Sequence, residues 1–322
     1  GGVMEIIDYN TVTGWAYAVN GVTGNLTAIP MKDRSTSENI ALLDGKNINI
    51  KELVEKNYEG FLYGDMTSVA VSPNGEKLAL AIQASEYSKA GCIAVFTCGA
   101  DGTLTFEQAY EAGVQPDMVT FTPDSTKILS ADEGEPREGY GAGNTDPQGT
   151  VTVVDVAGQN VSHLDFTSFD CEAKRAELVQ NGVILKKGTA PSVDLEPEYI
   201  AANDKTAYVT LQEANAIAIV DLETLSIENV CSAGYEDYGK YPVDINKKDE
   251  AYNPVSYPSL RGIRIPDGIS LFEANGKNYI VTANEGDARE WGEYLNEDEC
   301  NFSKGAASPT GKITAENSGL TG

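Results

Sequence analysis

Residues 115–136 read QPDMVTFTPDSTKILSADEGEP, and their pattern decides the fold. An alternating apolar run, MVTFT, is followed by the turn signal PDST, a second apolar run and an acidic exit, DEGEP. Period-two alternation on both sides of a Pro-Asp turn describes two antiparallel strands of a hairpin. The layout returns at 265–288 (IPDGISLFEANGKNYIVTANEGDA), at 196–222 (EPEYIAANDKTAYVTLQEANAIAIVDL) and at 67–85 (TSVAVSPNGEKLALAIQAS). Residues 4–29 form a weaker fifth copy. A third alternating strand follows three of the hairpins, as GCIAVFTC (91–98), GTVTVVDV (149–156) and NAIAIVDL (215–222). After two of these comes a weaker fourth strand, GTLTFEQAYEAG (102–113) and LSIENVCSAG (225–234).

Four short strands per unit is the plan of a β-propeller blade. The fold class expected is therefore all-β, a β-propeller of four-stranded blades with long inter-strand loops. Five blade repeats are visible, and the closed ring is expected to have seven. Successive repeats start about 50 to about 80 residues apart, above the usual blade repeat of ~40–50, so insertions are expected at 134–149, 165–195 and 235–262. Residues 171–180 (CEAKRAELVQ) predict one short helix. The domain expected is a single propeller over 2–322, with Gly1 a remnant outside it. The final GKITAENSGLTG (311–322) breaks off where a third strand is due, which predicts truncation at the C-terminus.

Composition narrows the function. Of 322 residues, 49 are Asp or Glu and 23 are Lys or Arg, a net charge of −26. Such a chain repels nucleic acid, which needs a basic surface, while offering many oxygen ligands to a hard cation such as Ca2+. No apolar run reaches the length of a membrane span. Cys92 and Cys98 stand at opposite ends of one predicted strand, roughly 20 Å apart at ~3.3 Å per residue, beyond disulfide reach. Cys171, Cys231 and Cys300 are isolated, and no CxxC occurs. The single histidine, His163, reads as a strand or surface residue, so a nucleophile–His–acid triad has nothing to rest on. No nucleotide or organic cofactor is indicated.

The repeat also places the acids. In a hairpin the start of the first strand lies beside the end of the second, which sets Asp117 beside Asp132 and Glu133. Likewise Glu198 falls beside Gln212 and Glu213, and Asp267 beside Asn284 and Glu285. Glu135 and Asp287 follow in the exit loops. Blade first strands line the central channel, so Asp117, Glu133, Glu135, Glu198, Glu213, Asp267, Glu285 and Asp287 should gather at one mouth of it as candidate metal ligands. Crowded carboxylates repel one another unless paired, protonated or bridged by a cation. One solution is an ion pair from Arg137 or Arg289, each four residues after its Glu; the other is a bound Ca2+. The first two copies carry Gly21, Thr67 and Gln83 at the equivalent places. The Tyr-rich loop AGYEDYGKYPVD (233–244) offers a surface for sugar or peptide, or simply packs over a blade.

The blocks QPDMVTFTPDSTKILSADEGEP, DLEPEYIA (194–201), TLQEANAIAIVDL (210–222), IPDGIS (265–270) and VTANEGDAR (281–289) together resemble the bacterial choice-of-anchor I family, related to the mesenchyme-specific cell-surface glycoprotein of eukaryotes. The resemblance runs over about residues 2–293. It implies a YVTN-like propeller that is extracellular or attached to the cell wall, often joined to other modules including phosphoesterase domains. It supplies no catalytic residues to carry over. Two functions follow as expectations. One is a surface binding or scaffold module, stabilised by calcium, whose partner is a surface protein, a glycan or a phosphorylated small molecule. The alternative is a metal-dependent phosphoesterase, alkaline phosphatase- or phytase-like, working at the acidic mouth. The second requires anion-holding cations, for which Arg137, Arg289, Arg261 and Arg264 are the suppliers.

Overall fold

The computed structural model describes residues 4, 6–31, 45–140, 143–245 and 250–286. Four successive antiparallel meanders, each of four strands in chain order, make up most of them. The first contains β1 (Ile7–Asn10), β2 (Trp15–Asn20), β3 (Asn25–Pro30) and β4 (Lys46–Asn49). The second contains β5 (Tyr63–Val71), β6 (Lys77–Ala84), β7 (Ala90–Cys98) and β8 (Leu104–Val114). The third is β9 (Pro116–Phe121), β10 (Lys127–Asp132), β11 (Thr150–Asp155) and β12 (Asn160–Asp165); the fourth is β13 (Pro197–Ala202), β14 (Thr206–Leu211), β15 (Ala216–Asp221) and β16 (Ser226–Ser232). A small ribbon, β17 (Tyr235–Asp237) with β18 (Arg261–Ile263), precedes the paired β19 (Pro266–Ala274) and β20 (Lys277–Asn284).

First strands of consecutive sheets adjoin, β1 to β5, β5 to β9, β9 to β13 and β13 to β19. That is the blade arrangement of a propeller, with first strands innermost. The cores lie between blades because strand alternation gives every sheet two apolar faces. Tyr17, Val19, Leu26 and Ala28 of blade one meet Met66, Leu78, Leu80 and Phe96 of blade two. The opposite face of blade two, with Ala79, Ala81, Ile93 and Val95, packs on Val119, Phe121 and Ile128 of blade three. Leu129, Val151 and Val153 then meet Ile200, Val209, Ala216 and Ala218 of blade four.

The expected insertions are present. Residues 166–196 carry α2 (Glu172–Gln180) and a single turn, α3 (Pro191–Asp194). A further insertion, missed in the sequence, holds α1 (Ile50–Asn57), whose Ile50 and Val54 are buried. Asn49 caps α1 by accepting from the Glu52 N–H at 3.0 Å, a start signal hidden among several asparagines. The fourth strands of blades one and three, β4 and β12, were not separable from loops because they alternate weakly and are largely exposed. Among the described residues no helix is long and apolar enough to cross a membrane.

Glycine marks the seam between blades. A Cβ on Gly91, in β7, would overlap the Pro116 ring that opens β9 and lie 2.6 Å from the Ile82 carbonyl oxygen. Gly149, just before β11, stands in the same relation to Pro197, which opens β13. Neither clash can be relieved by a flexible side chain, so Gly91→Ala and Gly149→Ala are each expected to cost about 1–3 kcal/mol, measured by denaturant unfolding. A change within about 0.5 kcal/mol of wild type at both sites, the scatter of ordinary surface substitutions, would show that the seam yields.

Candidate functional site

Each inner strand that carries a candidate acid is bulged at that acid. Pairing of β9 with β10 jumps from Met118↔Ala131 to Pro116↔Asp132, leaving Asp117 as the extra residue. The β13–β14 register shifts between Pro197 and Ile200, and the β19–β20 register between Pro266 and Ile269, freeing Glu198 and Asp267 in the same way. A bulge bends the strand and re-aims the side chain it releases. Proline before the bulge has no N–H to donate, so opening the ladder there loses no bond.

Two of these openings are also strained. Gln115 and Ile265, each just before the proline, have φ of 55° and 50°, unusual for any residue but glycine and for a β-branched one above all. Their carbonyl oxygens accept from the Glu133 and Glu285 N–H groups at 3.0 and 3.2 Å. Strained backbone held by such ties is typical of positions where geometry serves a site.

The re-aimed residues meet at the inner ends of the blades, beside a cavity of about 290 Å3 lined by all four sheets. Blade one contributes Ile6, Val19, Gly21 and Val22; blade two, Asp65 to Ser68; blade three, Asp117 and Met118; blade four, Tyr199. Asp65 is a lining acid that the sequence reading missed. Blade two bulges twice, between Tyr63 and Asp65 and between Met66 and Ser68, so its acid sits two residues earlier than Thr67, where alignment of the copies looked for it. Gly21 permits the approach, since a Cβ there would overlap the Asp65 carboxylate.

Burial and mutual repulsion set the protonation of this region. Burial first, then the charges of Glu135 and Asp267, push Asp117 up to about 6, against a smaller opposing pull from Arg137. Glu133 is held well above the carboxylate range by burial and by Glu198, Glu135 and Asp117. Glu198 is raised by burial and by Glu213 and Asp117. The two side chains are hydrogen-bonded to each other, so the buried pair is held by a shared proton. Asp267 is raised by burial. Tyr199, ringed by Asp117, Asp267, Glu198 and Glu285, is pushed up to about 12, chiefly by burial.

The predicted acids are thus brought to one mouth, with corrections. Asp132 does not join Asp117. The bulge and strand alternation turn it into the sheet, where it is wholly buried and accepts from Ser130, Thr150 and Thr152 at 2.8, 2.9 and 2.6 Å. Arg137 does not fold back onto Glu133; its Nε lies 3.2 Å from Glu135 Oε2, because the turn beginning at Pro136 carries it that way. Arg261 and Arg264 are committed to Asp237 and Glu236 of the ribbon. Glu285 is exposed at the end of β20. Asp287 and Arg289 lie outside the described residues. Among the described residues, no three His, Cys, Asp or Glu side chains are arranged to hold a metal ion.

Several solved structures are similar to this chain. A protein from Lactobacillus plantarum shares 13% identity at a TM-score of 0.44, covering 72% of this chain and 60% of its own. A β-propeller domain from Myceliophteria thermophila shares 11% identity at a TM-score of 0.42, covering 71% and 55%. Hydrazine synthase of Kuenenia stuttgartiensis shares 13% at 0.42, covering 67% and 52%. The chain therefore spans between 52% and 60% of the length of these structures. Among curated proteins no sequence matches. The family model for the choice-of-anchor I domain matches residues 5–318, and the chain belongs to that family.

Proposed function

We propose that this chain is a binding or scaffold module of a cell-surface β-propeller, working outside the cell and closed by seven blades. One observation carries the reading: blades two, three and four bulge their inner strands and, with blade one, bring carboxylates, a tyrosine and two methionines around one small cavity. Bulges that only relieved strand twist would have no reason to converge. The phosphoesterase alternative meets an electrostatic obstacle, since a phosphate at this mouth would face the carboxylates of Asp65, Asp117, Glu135 and Asp267, with Arg137 already paired to Glu135.

The test is an assay on a phosphomonoester and on phytate, with calcium and then with chelator, beside glycan and peptide binding panels. Binding without turnover is expected. Chelator-sensitive turnover abolished by Glu133→Gln would overturn the proposal. A calcium-stabilised form of the module is favoured by the crowding of like charges, which a cation relieves as well as a shared proton does. A saturable rise in unfolding temperature with calcium but not with magnesium would carry that form, and an equal response to both would remove it.

A further inference from the structure

We infer that the cavity at the inner ends of the first four blades receives an alkylammonium group, with Asp117 and Asp65 as its counter-charges and Tyr199 as its aromatic wall. The inference rests on the reading of this mouth as a binding site and names the chemistry that fits it. Both carboxylates line the cavity and no Lys, Arg or His does. Asp117 is only partly buried, so its carboxylate can be reached from the cavity. An ionised carboxylate can only accept hydrogen bonds, and an ammonium brings three donors.

The remaining wall suits the carbon chain that such a group carries. Ile6, Val19, Met66 and Met118 are apolar, and methionine fits irregular ligand shapes. The face of a tyrosine attracts a cation. At about 290 Å3 the space is at the small end of ligand cavities, about 300–1,000 Å3, so the occupant is a few heavy atoms long. The two wall hydroxyls are each tied to backbone: Thr67 donates to the Pro116 carbonyl at 2.9 Å, and Ser68 accepts from the Val119 N–H at 3.2 Å. An anion would be repelled by both acids.

The same ammonium can come from a free alkylamine or from the lysine side chain of a partner protein, and calorimetric titration distinguishes them. The whole chain is titrated with pentylammonium, with Nα-acetyl-lysine amide, and with 1-pentanol and pentanoate as uncharged and anionic analogues. Both ammonium compounds are expected to bind and the analogues not to. Tighter binding of the lysine derivative identifies a protein side chain as the source, and tighter binding of pentylammonium identifies a free amine. Asp117→Asn and Asp65→Asn should each weaken ammonium binding at least about tenfold, the loss of about 1.4 kcal/mol, with no fall in unfolding temperature. Equal binding of 1-pentanol, or an unchanged affinity in Asp117→Asn, overturns the inference. If neither ammonium binds while a glycan or peptide from the panels binds in an Asp117-dependent way, the binding-module reading stands and this inference falls. If nothing binds, both fall.

Discussion

Acidification from about pH 8 to about pH 5 will raise the unfolding temperature of this chain, and Glu133→Gln will remove much of that rise. The sign follows from linkage. A carboxyl whose folded-state pKa is raised binds its proton more tightly folded than unfolded, so its contribution is favourable at low pH and is lost as pH climbs from the unfolded value through the folded one. Asp132 and Asp117 rise from 3.8 to about 6, and Glu133 and Glu198 rise well above 4.5. A tenfold change in proton affinity is about 1.4 kcal/mol, so the fully buried Asp132 alone costs about 3 kcal/mol once it must ionise.

Other carboxyls limit the effect below that window. Asp124 and Asp221 are lowered by hydrogen bonds in their turns, and their contribution fades as pH falls below their ordinary values. The stability maximum is therefore expected near pH 4–5, about where the raised groups are protonated and the lowered ones still ionised. Glutamine at 133 offers an amide N–H to Glu198 in place of the shared proton. At about pH 8 it should stabilise the fold and flatten the pH dependence. Calorimetric melting of both proteins across pH checks this, and a wild-type unfolding temperature that falls between about pH 8 and about pH 5 would contradict it.

The second large effect is expected at Asp132. Asp132→Ala strips the acceptor from three hydroxyls, those of Ser130, Thr150 and Thr152, in a region closed to water. Buried donors left without partners cost about 1–3 kcal/mol each, partly recovered when hydroxyls rotate, so a loss of about 2–4 kcal/mol is expected from denaturant unfolding. Asp132→Asn keeps the shape and one acceptor oxygen, and loses less than half as much. Equal losses in the two variants would mean that packing, not hydrogen bonding, holds this site together.

The same network fixes the state of the lone histidine. Thr152 Oγ1 gives its only hydrogen to Asp132 and accepts from the Gly113 N–H at 3.1 Å. Its remaining contact, His163 Nδ1 at 3.0 Å, must then be a donor, because a hydroxyl has one hydrogen and two lone pairs. His163 is expected as the Nδ1–H tautomer when neutral, which nitrogen NMR reads directly. An Nε2–H tautomer would mean that Thr152 points its hydrogen away from Asp132.

Sequence alone is enough for the repeating hairpins, because strand alternation and turn residues are local signals that each copy carries in full. It determined that Asp117, Glu133, Glu198 and Asp267 share one mouth, because a hairpin must set the start of one strand beside the end of the next. It also determined that His163 belongs to a strand or the surface. Which acids face the cavity depends on the fold in three dimensions. A bulge moves a side chain by one residue and so to the other side of the sheet, and nothing in the letters Pro-Asp or Pro-Glu announces it. That single-residue shift turned Asp132 into the sheet and left Asp117 at the mouth. The double shift in blade two put Asp65 where Thr67 was sought. Tyr199 went unnoticed for the same reason, since its place depends on four blades meeting, and their meeting is a long-range property that no local pattern records.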